Sequence, residues 1–257
     1  QDGNSYLAKM YRGYNGEWLF RLPYAPEDQK GILVYTFYIT LGHAARVTAI
    51  PFNTLLHLTR IIFGVSLLIT VYLLTALLTA DISARRWSFV IAAFASGLAI
   101  ISVLAGRNDP YNYLPMDLFV PEMIGFHSML ANPHFPLGFA LQAWAFVLIV
   151  QPPISDSKIM LLGVVALAVG VALIVPYLIP VAYIALGVTV LFVRPFNRAM
   201  LLRLFLFGTI TGSFVLYDFA IAFSDPFILA WSKQAYIVTP SLIDVLLGVG
   251  IWLPLAL

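Results

Sequence analysis

The sequence contains no cysteine and few charged residues. Among its 257 residues, Asp, Glu, Lys and Arg together make up only 10%. The lack of cysteine excludes disulfide bonds, thiolate metal ligands and cysteine nucleophiles. A soluble domain is about 25% charged. With 61% hydrophobic residues and a mean hydropathy of +0.92, most of this chain must instead face lipid, so we expect an integral membrane protein. A net charge of +2 without a basic tract argues against a nucleic-acid partner.

Apolar runs recur along the chain at lengths that approach the thickness of a bilayer. A helix needs about 17–25 predominantly apolar residues to cross it. We predict an all-α, polytopic membrane helix bundle with spans at 55–80, 88–106, 136–151, 159–175, 178–193, 199–217 and 241–257. Pro176 and Pro180 are expected to separate the fourth and fifth spans as a tight hairpin.

The opening residues predict a different kind of structure. Residues 1–54 are interpreted as a first outer loop with interfacial helices, ahead of a bundle over 55–257. Segment 32–50 is too interrupted for a span, and we expect a helix along the interface with Tyr35, Phe37 and Tyr38 at headgroup level. The chain starts without Met and stops inside an apolar run, so we expect both ends to continue and a transmembrane helix to precede it.

The distribution of Lys and Arg predicts the orientation. Six basic residues and two acids lie in the short connections, at Arg85, Arg86, Lys158, Arg194, Arg198, Arg203, Asp81 and Asp156. The long loops 107–135 and 218–240 hold two basic and five acidic residues. The positive-inside rule places the short connections in the cytoplasm and the long loops outside, on the same side as residues 1–54. Five basic residues in the opening segment run against this rule, which suggests that they are held there for a reason: Lys9, Arg12, Arg21, Lys30 and Arg46.

The outward loops contain the residues best suited to a site. Loops longer than about 12–15 residues are usually functional or disordered, and these are too aromatic for disorder. Loop 107–135 offers candidates that also have structural interpretations as turn starters or helix openings: Asp109, Asp117, Glu122, His127 and His134. A metal site from the last four lacks a recognised ligand spacing. No metal ligand or cofactor is therefore assigned, although a divalent metal stays open.

Two cations outside that loop could meet an anionic group. Lys233, in loop 218–240 with Asp225, Trp231 and Tyr236, would either clasp a lipid phosphate or anchor the chain at the interface. Arg60, near the outer end of the first predicted span, would either snorkel to the headgroups or face inward.

The opening segment resembles the first outer loop of GT-C superfamily integral membrane glycosyltransferases. The similarity is carried by "DGNSYLAKM", "GEWLFRLPY" and "KGILVYTFYITLG", and by "HLTRIIFGVSLL" in the next helix. The branch it resembles is that of the bacterial aminoarabinose transferase and the protein O-mannosyltransferases; uncharacterised multi-spanning bacterial proteins look closer still. Asp2, Tyr6, Trp18 and Lys30 match the family pattern in order, whereas Gly3 stands where the family often has a second acid.

The resemblance implies a transfer of sugar from a polyprenyl-phosphate carrier to an acceptor at the outer face of a bacterial inner membrane. It implies catalytic acids, of which Asp2 would be the base, with Asp117 or Glu122 as a second acid. Cations for the carrier phosphate would come from Lys9, Arg12, Lys30, Arg60 and Lys233. Sugar contacts would come from Tyr6, Tyr14, Trp18, Asp109 and His134, although the aromatic rings are equally suited to interface anchoring.

Two other functions stay open. Gly3 in place of the paired acid is compatible with a non-catalytic subunit that keeps a GT-C-like scaffold within a larger membrane complex. A lipid or sugar transporter is the third hypothesis, but the predicted spans from 55 to 193 contain almost no central ionisable residues to mark a pathway.

Overall fold

The computed structural model describes residues 3–22, 29–98, 100–106, 117, 120–151, 158–192, 197–233 and 241–250. Within these ranges the regular structure is helical. No strand is present there, and the extended pairing is limited to one antiparallel bridge between Phe20 and Ile32. This confirms the predicted all-α class. The α-helices are α1 (Gly3–Tyr14), α2 (Thr36–Thr48), α3 (Phe52–Leu78), α4 (Ile82–Phe94), α5 (Ile100–Leu104), α6 (Gly125–Ala131), α7 (His134–Val150), α8 (Lys158–Ile174), α9 (Ile179–Phe192), α10 (Arg198–Ser224), α11 (Pro226–Ser232) and α12 (Leu242–Val249).

Two of these helices, α3 and α10, are each 27 residues long and apolar enough to cross a membrane. The pair α8 and α9 adds a third crossing if it forms one broken span. The described chain is therefore that of a membrane protein, as the composition predicted. The wider count of seven spans stays a prediction.

The chain divides into two compact units. One contains residues Gln1–Thr59 and Gly138–Ala235, and the other contains Arg60–Leu137 and Tyr236–Leu257. In the first unit, apolar side chains of α7, α8, α9 and α10 form a continuous core, at Ala145, Ile149, Val164, Ala168, Ala182, Leu186 and Phe207. Small residues among them allow the helix backbones to approach closely, as is common where apolar helices pack in lipid.

Helices α1 and α2 cross at two glycines. A Cβ atom at Gly13 would lie 2.8 Å from the carbonyl carbon of Ile39, and one at Gly42 would lie 2.8 Å from that of Met10. Ordinary van der Waals contact for a Cβ begins near 3.4 Å. Only glycine fits at either position, so the two backbones pack directly against each other and bury Tyr38 between them.

The α1–α2 pair is attached to the helices of its own unit by specific hydrogen bonds. The hydroxyl of Thr36 donates to the carbonyl of Leu173 at the end of α8, and the Tyr217 hydroxyl on α10 accepts from the backbone N–H of Leu33. Phe20 is buried against Ile221 and other apolar side chains beside the bridge. The opening segment is therefore a packed part of the first unit and not a loose loop.

The second unit is organised around the end of α4. Gly125, at the start of α6, packs against the backbone of Ala93, and Phe94 contacts the ring of Phe126 at 5.3 Å between centroids. The backbone N–H of Leu98 donates to the carbonyl of Leu247 at 2.7 Å. This bond fixes the segment after α4 against α12.

Several sequence predictions need correction. The predicted span 88–106 is not one helix, because α4 ends at Phe94, Ala95 adopts an extended backbone, and α5 begins only at Ile100. The predicted loop 218–240 is helical up to Ser232 except at its break near Asp225. Phe37 and Tyr38 are buried, because α2 packs them toward its neighbours, whereas their expected headgroup level stays a prediction.

The break at Pro176 was correctly predicted, although its geometry differs from a tight hairpin. Helices α8 and α9 are joined by a short 3-10 helix, Pro176–Leu178, and their axes turn by 112°. Proline lacks the N–H that would continue the helix, which explains the interruption. The valine that precedes it, Val175, is fully buried at the bend.

Candidate functional site

The turn after α1 positions the first candidate site. Gly16 has a φ of +95°, and its N–H donates to Gly13 while the N–H of Glu17 donates to Arg12. These two bonds form a Schellman motif, in which glycine supplies the left-handed residue that ends the helix. The start of the "GEWLFRLPY" stretch is therefore a helix terminus that presents Glu17 and Trp18.

Glu17 is held between two arginines. One carboxylate oxygen accepts from Arg12 at 3.0 Å and the other from Arg21 at 3.2 Å. Both pairs are partly exposed, so each contributes little to stability. Their effect is positional, since they fix the turn and keep two guanidinium groups beside it. The predicted phosphate ligand Arg12 thus already has a carboxylate partner.

Trp18 and His43 form a stacked pair at the surface. Their ring centroids are 3.9 Å apart with an angle of 21° between the planes. The Nε2 atom of His43 lies 3.0 Å from the carbonyl oxygen of Glu17, which fixes the imidazole in place. Trp18 nevertheless remains 61% exposed. A flat aromatic ring held from behind and open to solvent is the type of surface on which the apolar face of a sugar can stack.

Lys9 lies in an aromatic enclosure formed by Tyr6, Phe20 and Tyr35. Its ammonium group is 3.6 Å from the ring centroid of Tyr35, 4.6 Å from that of Tyr6 and 6.0 Å from that of Phe20, and the residue is 6% exposed. Buried cation–π contacts contribute about 2 kcal/mol or more. Lys9 is thus enclosed by rings and not presented at the surface, and its phosphate-binding role stays a prediction.

The backbone of Tyr35 supports the same enclosure. Its φ of +55° places a bulky residue in the left-handed region directly before α2. Such a conformation costs on the order of 1–3 kcal/mol and persists only where surrounding contacts maintain it. The Lys9 contact and an edge-on contact with Phe20 at 4.9 Å are two of those contacts.

The other predicted ligands in the first unit are placed differently from one another. Tyr6 stacks on Tyr38 at 4.2 Å and is half-buried, whereas Tyr14 is exposed and meets Phe52 edge-on. Lys30 and Lys233 are both exposed. Their roles as sugar and phosphate ligands stay predictions.

The second unit contains a buried acid, Asp117. It is 1% exposed, and its Oδ2 accepts from the hydroxyl of Ser96 at 3.4 Å. Its Oδ1 is also buried and has no hydrogen-bond partner among the described residues. Gly97 allows this approach, because a Cβ there would lie 2.6 Å from Oδ2. Within the described part of the chain this buried carboxylate is therefore underpaired, which is costly and more typical of a functional residue than of packing.

The remaining candidates of that unit that the structure describes do not gather into a metal site. Glu122 lies half-buried in a 3-10 helix, Pro121–Met123, which confirms the short helix expected there, and His134 is buried at the start of α7. Within the described ranges no group of three or more His, Asp or Glu side chains could hold a metal ion. Arg60 is half-buried on α3. Asp2 and Asp109 lie outside the described residues.

Sequence reasoning missed His43 as the partner of Trp18. The two are far apart in the sequence, and a single histidine in "LGHAA" has no pattern that would identify it. Ser96, the donor to Asp117, was missed for the same reason. The glycines at 13, 16 and 42 carried a usable signal, because glycines in and after a helical segment indicate close approaches or helix ends.

Comparisons with known proteins give no relatives: no family model matches the chain, and no curated protein or solved structure matches it.

Proposed function

We propose that this protein is a GT-C-like membrane glycosyltransferase that transfers a sugar from a polyprenyl-phosphate carrier to an acceptor at the outer face of a bacterial inner membrane. The observation that carries the proposal is the exposed Trp18 ring, stacked on His43 beside the Glu17 ion pairs. Aromatic and charged groups suited to a saccharide are thereby placed on a protein that is otherwise mostly apolar. The apolar helices supply surface for the tail of a lipid carrier.

The chemistry requires a base and a stabilised leaving group. In the transfer, the acceptor hydroxyl attacks the anomeric carbon, its proton passes to a carboxylate, and the carrier phosphate leaves. The resemblance in the opening sequence assigns the base to Asp2. Among the cations expected for the phosphate, Lys30 and Lys233 are exposed and thus accessible, whereas Lys9 is enclosed.

Sugar transfer in liposomes tests this proposal. The purified chain would be reconstituted with a panel of undecaprenyl-phosphate sugars and saccharide acceptors, and product would be measured by mass spectrometry. We expect Asp2→Asn to lower turnover at least about 100-fold, the effect of removing a general base. Asp81→Asn is the control, since Asp81 caps α4 and asparagine caps equally well.

Two results would count against the proposal. Normal turnover by Asp2→Asn would exclude Asp2 as the base. No transfer by the unmodified protein with any donor of the panel would exclude the transferase function.

A non-catalytic subunit is the second candidate, favoured by Gly3 in place of the paired acid. Under that function the protein would co-purify stably with other membrane proteins and carry no donor lipid. Affinity purification from native membranes, with lipid extraction of the eluate, distinguishes the two functions. Polyprenyl-phosphate sugar bound to the isolated chain would exclude the subunit hypothesis.

A further inference from the structure

We infer that the surface around Trp18 binds an anionic saccharide, recognised through its acidic group as well as its ring. We call this surface the opening patch; it consists of Arg12, Glu17, Trp18, Arg21, His43 and Arg46. The inference rests on the proposed function in one respect: it identifies the bound saccharide as the acceptor of the sugar transfer. Binding itself is a separate property.

Counted over the residues that the structure describes, the opening patch carries excess positive charge. Among the described residues, three guanidinium groups and one carboxylate lie at this turn. Arg12 and Arg21 contact Glu17 directly, whereas Nη1 of Arg46 lies 3.1 Å from the position of a Cβ on the adjacent Gly16. Glu17 uses one oxygen for each of its two partners, so the third guanidinium adds to an already cationic group. Arg21 and Arg46 are both exposed.

The aromatic pair determines what kind of anion fits. Because His43 covers one face of Trp18, the exposed area of the indole must come from its other face and its edges. A pyranose ring presents an apolar face of similar size to such a plane. Guanidinium groups bind carboxylates and phosphates through paired N–H donors. A saccharide with an acidic substituent can stack on the indole and pair with a guanidinium group at the same time. A neutral saccharide would stack but leave the excess positive charge without an anionic partner.

The opening patch is ordered before any ligand binds. The Schellman turn, the two ion pairs and the His43 contact with the Glu17 carbonyl fix the positions of Arg12, Glu17, Arg21 and His43. Binding then costs less ordering entropy than it would on a mobile loop. A binding role also explains why these basic residues lie on the predicted outer side, against the usual distribution of Lys and Arg.

An equilibrium binding measurement tests the inference. The full chain in zwitterionic nanodiscs would be titrated with trigalacturonic acid and, as the neutral probe, with maltotriose, both at low and at physiological ionic strength. We expect trigalacturonic acid to bind at least about tenfold more tightly, with an affinity that falls as salt screens the charges. Arg46→Gln should lower the affinity for trigalacturonic acid about tenfold, because one charge-assisted contact is lost.

Trp18→Ala and a matched pair of controls complete the design. Trp18→Ala should lower the affinity for trigalacturonic acid by about tenfold, which is within the range expected when an aromatic contact is lost. Arg86→Gln and Trp87→Ala, on α4, alter an exposed Arg and a Trp that is 66% exposed, and should leave the affinity for the acidic probe unchanged. Equal binding of the two saccharides, or full affinity in both Arg46→Gln and Trp18→Ala, would overturn the inference.

Anionic lipid headgroups are the competing ligand. The melting temperature would be compared in phosphatidylglycerol and in zwitterionic nanodiscs. If the anionic lipid raises it, if Trp18→Ala and Arg46→Gln remove that rise, and if neither saccharide binds, the opening patch is a membrane anchor and the inference is wrong. Saccharide binding without sugar transfer would exclude the proposed function alone. Transfer with an unchanged acceptor KM in Arg46→Gln and Trp18→Ala would exclude the acceptor assignment alone.

Discussion

The crossing of α1 and α2 makes a quantitative prediction at Gly13 and Gly42. Adding one methyl group at either position places a Cβ 2.8 Å from a backbone carbonyl carbon, at least 0.6 Å inside the 3.4 Å at which ordinary contact begins. The neighbouring atoms belong to the partner helix backbone and cannot rotate away. The helices must therefore separate, which loosens the packing of Met10, Tyr38 and Ile39.

The expected magnitude follows from two opposing effects. Overpacking of a well-packed contact costs about 1–3 kcal/mol. Replacing a helical glycine by alanine returns up to about 1 kcal/mol of helix propensity. Each substitution, Gly13→Ala or Gly42→Ala, should therefore destabilise the protein by about 1–2 kcal/mol. For a chain of this size that corresponds to a fall of roughly 2–8 °C in melting temperature.

The assay is thermal unfolding of the purified variants at a fixed detergent concentration, followed by intrinsic fluorescence. Gly187→Ala in α9 is the matched control, because a Cβ there meets nothing within 4 Å. That variant should be neutral or slightly more stable. If Gly13→Ala and Gly42→Ala both have the same melting temperature as Gly187→Ala, the close crossing of α1 and α2 is refuted.

Three further predictions concern polar side chains. Arg203→Met should destabilise the protein by roughly 3 kcal/mol, because this buried arginine donates to two carbonyls at the end of α7. The control Arg198→Met should have little effect on thermal unfolding. Asp225→Ala should cost about 1 kcal/mol in the same assay, because its carboxylate caps α11 through two backbone N–H groups; no change would refute the cap. Asp117→Asn should raise the apparent melting temperature, because among the described residues this buried carboxylate has Ser96 as its one hydrogen-bond donor, and should lower sugar transfer; a less stable variant would contradict this interpretation.

The sequence predicted the elements whose causes are local. The apolar runs of α3 and α10 identify helices long enough for a bilayer, and Pro176 interrupts the chain wherever it folds. Pro121 likewise opens a short helix, because its missing N–H is not needed there. These features depend on residues within a few positions of one another.

The break after α4 could not be predicted in this way. Residues 88–106 are apolar and contain no proline, so they are typical of a continuous span. The helix ends at Phe94 because the following segment packs Gly97 against Gly248 and bonds the Leu98 N–H to Leu247. The partners lie about 150 residues away, and no local pattern marks them.

By itself, the sequence determined that this is an all-α membrane protein and which residue types its opening segment offers to a site. Only the tertiary structure decided how those residues are used. It encloses Lys9 in aromatic rings, pairs Arg12 with Glu17 and brings His43 under Trp18. The physical reason is that hydrophobic length and proline act within a short stretch of chain. Ring stacking, ion pairing and the glycine crossing depend on distances that exist only once α1 and α2 have packed together.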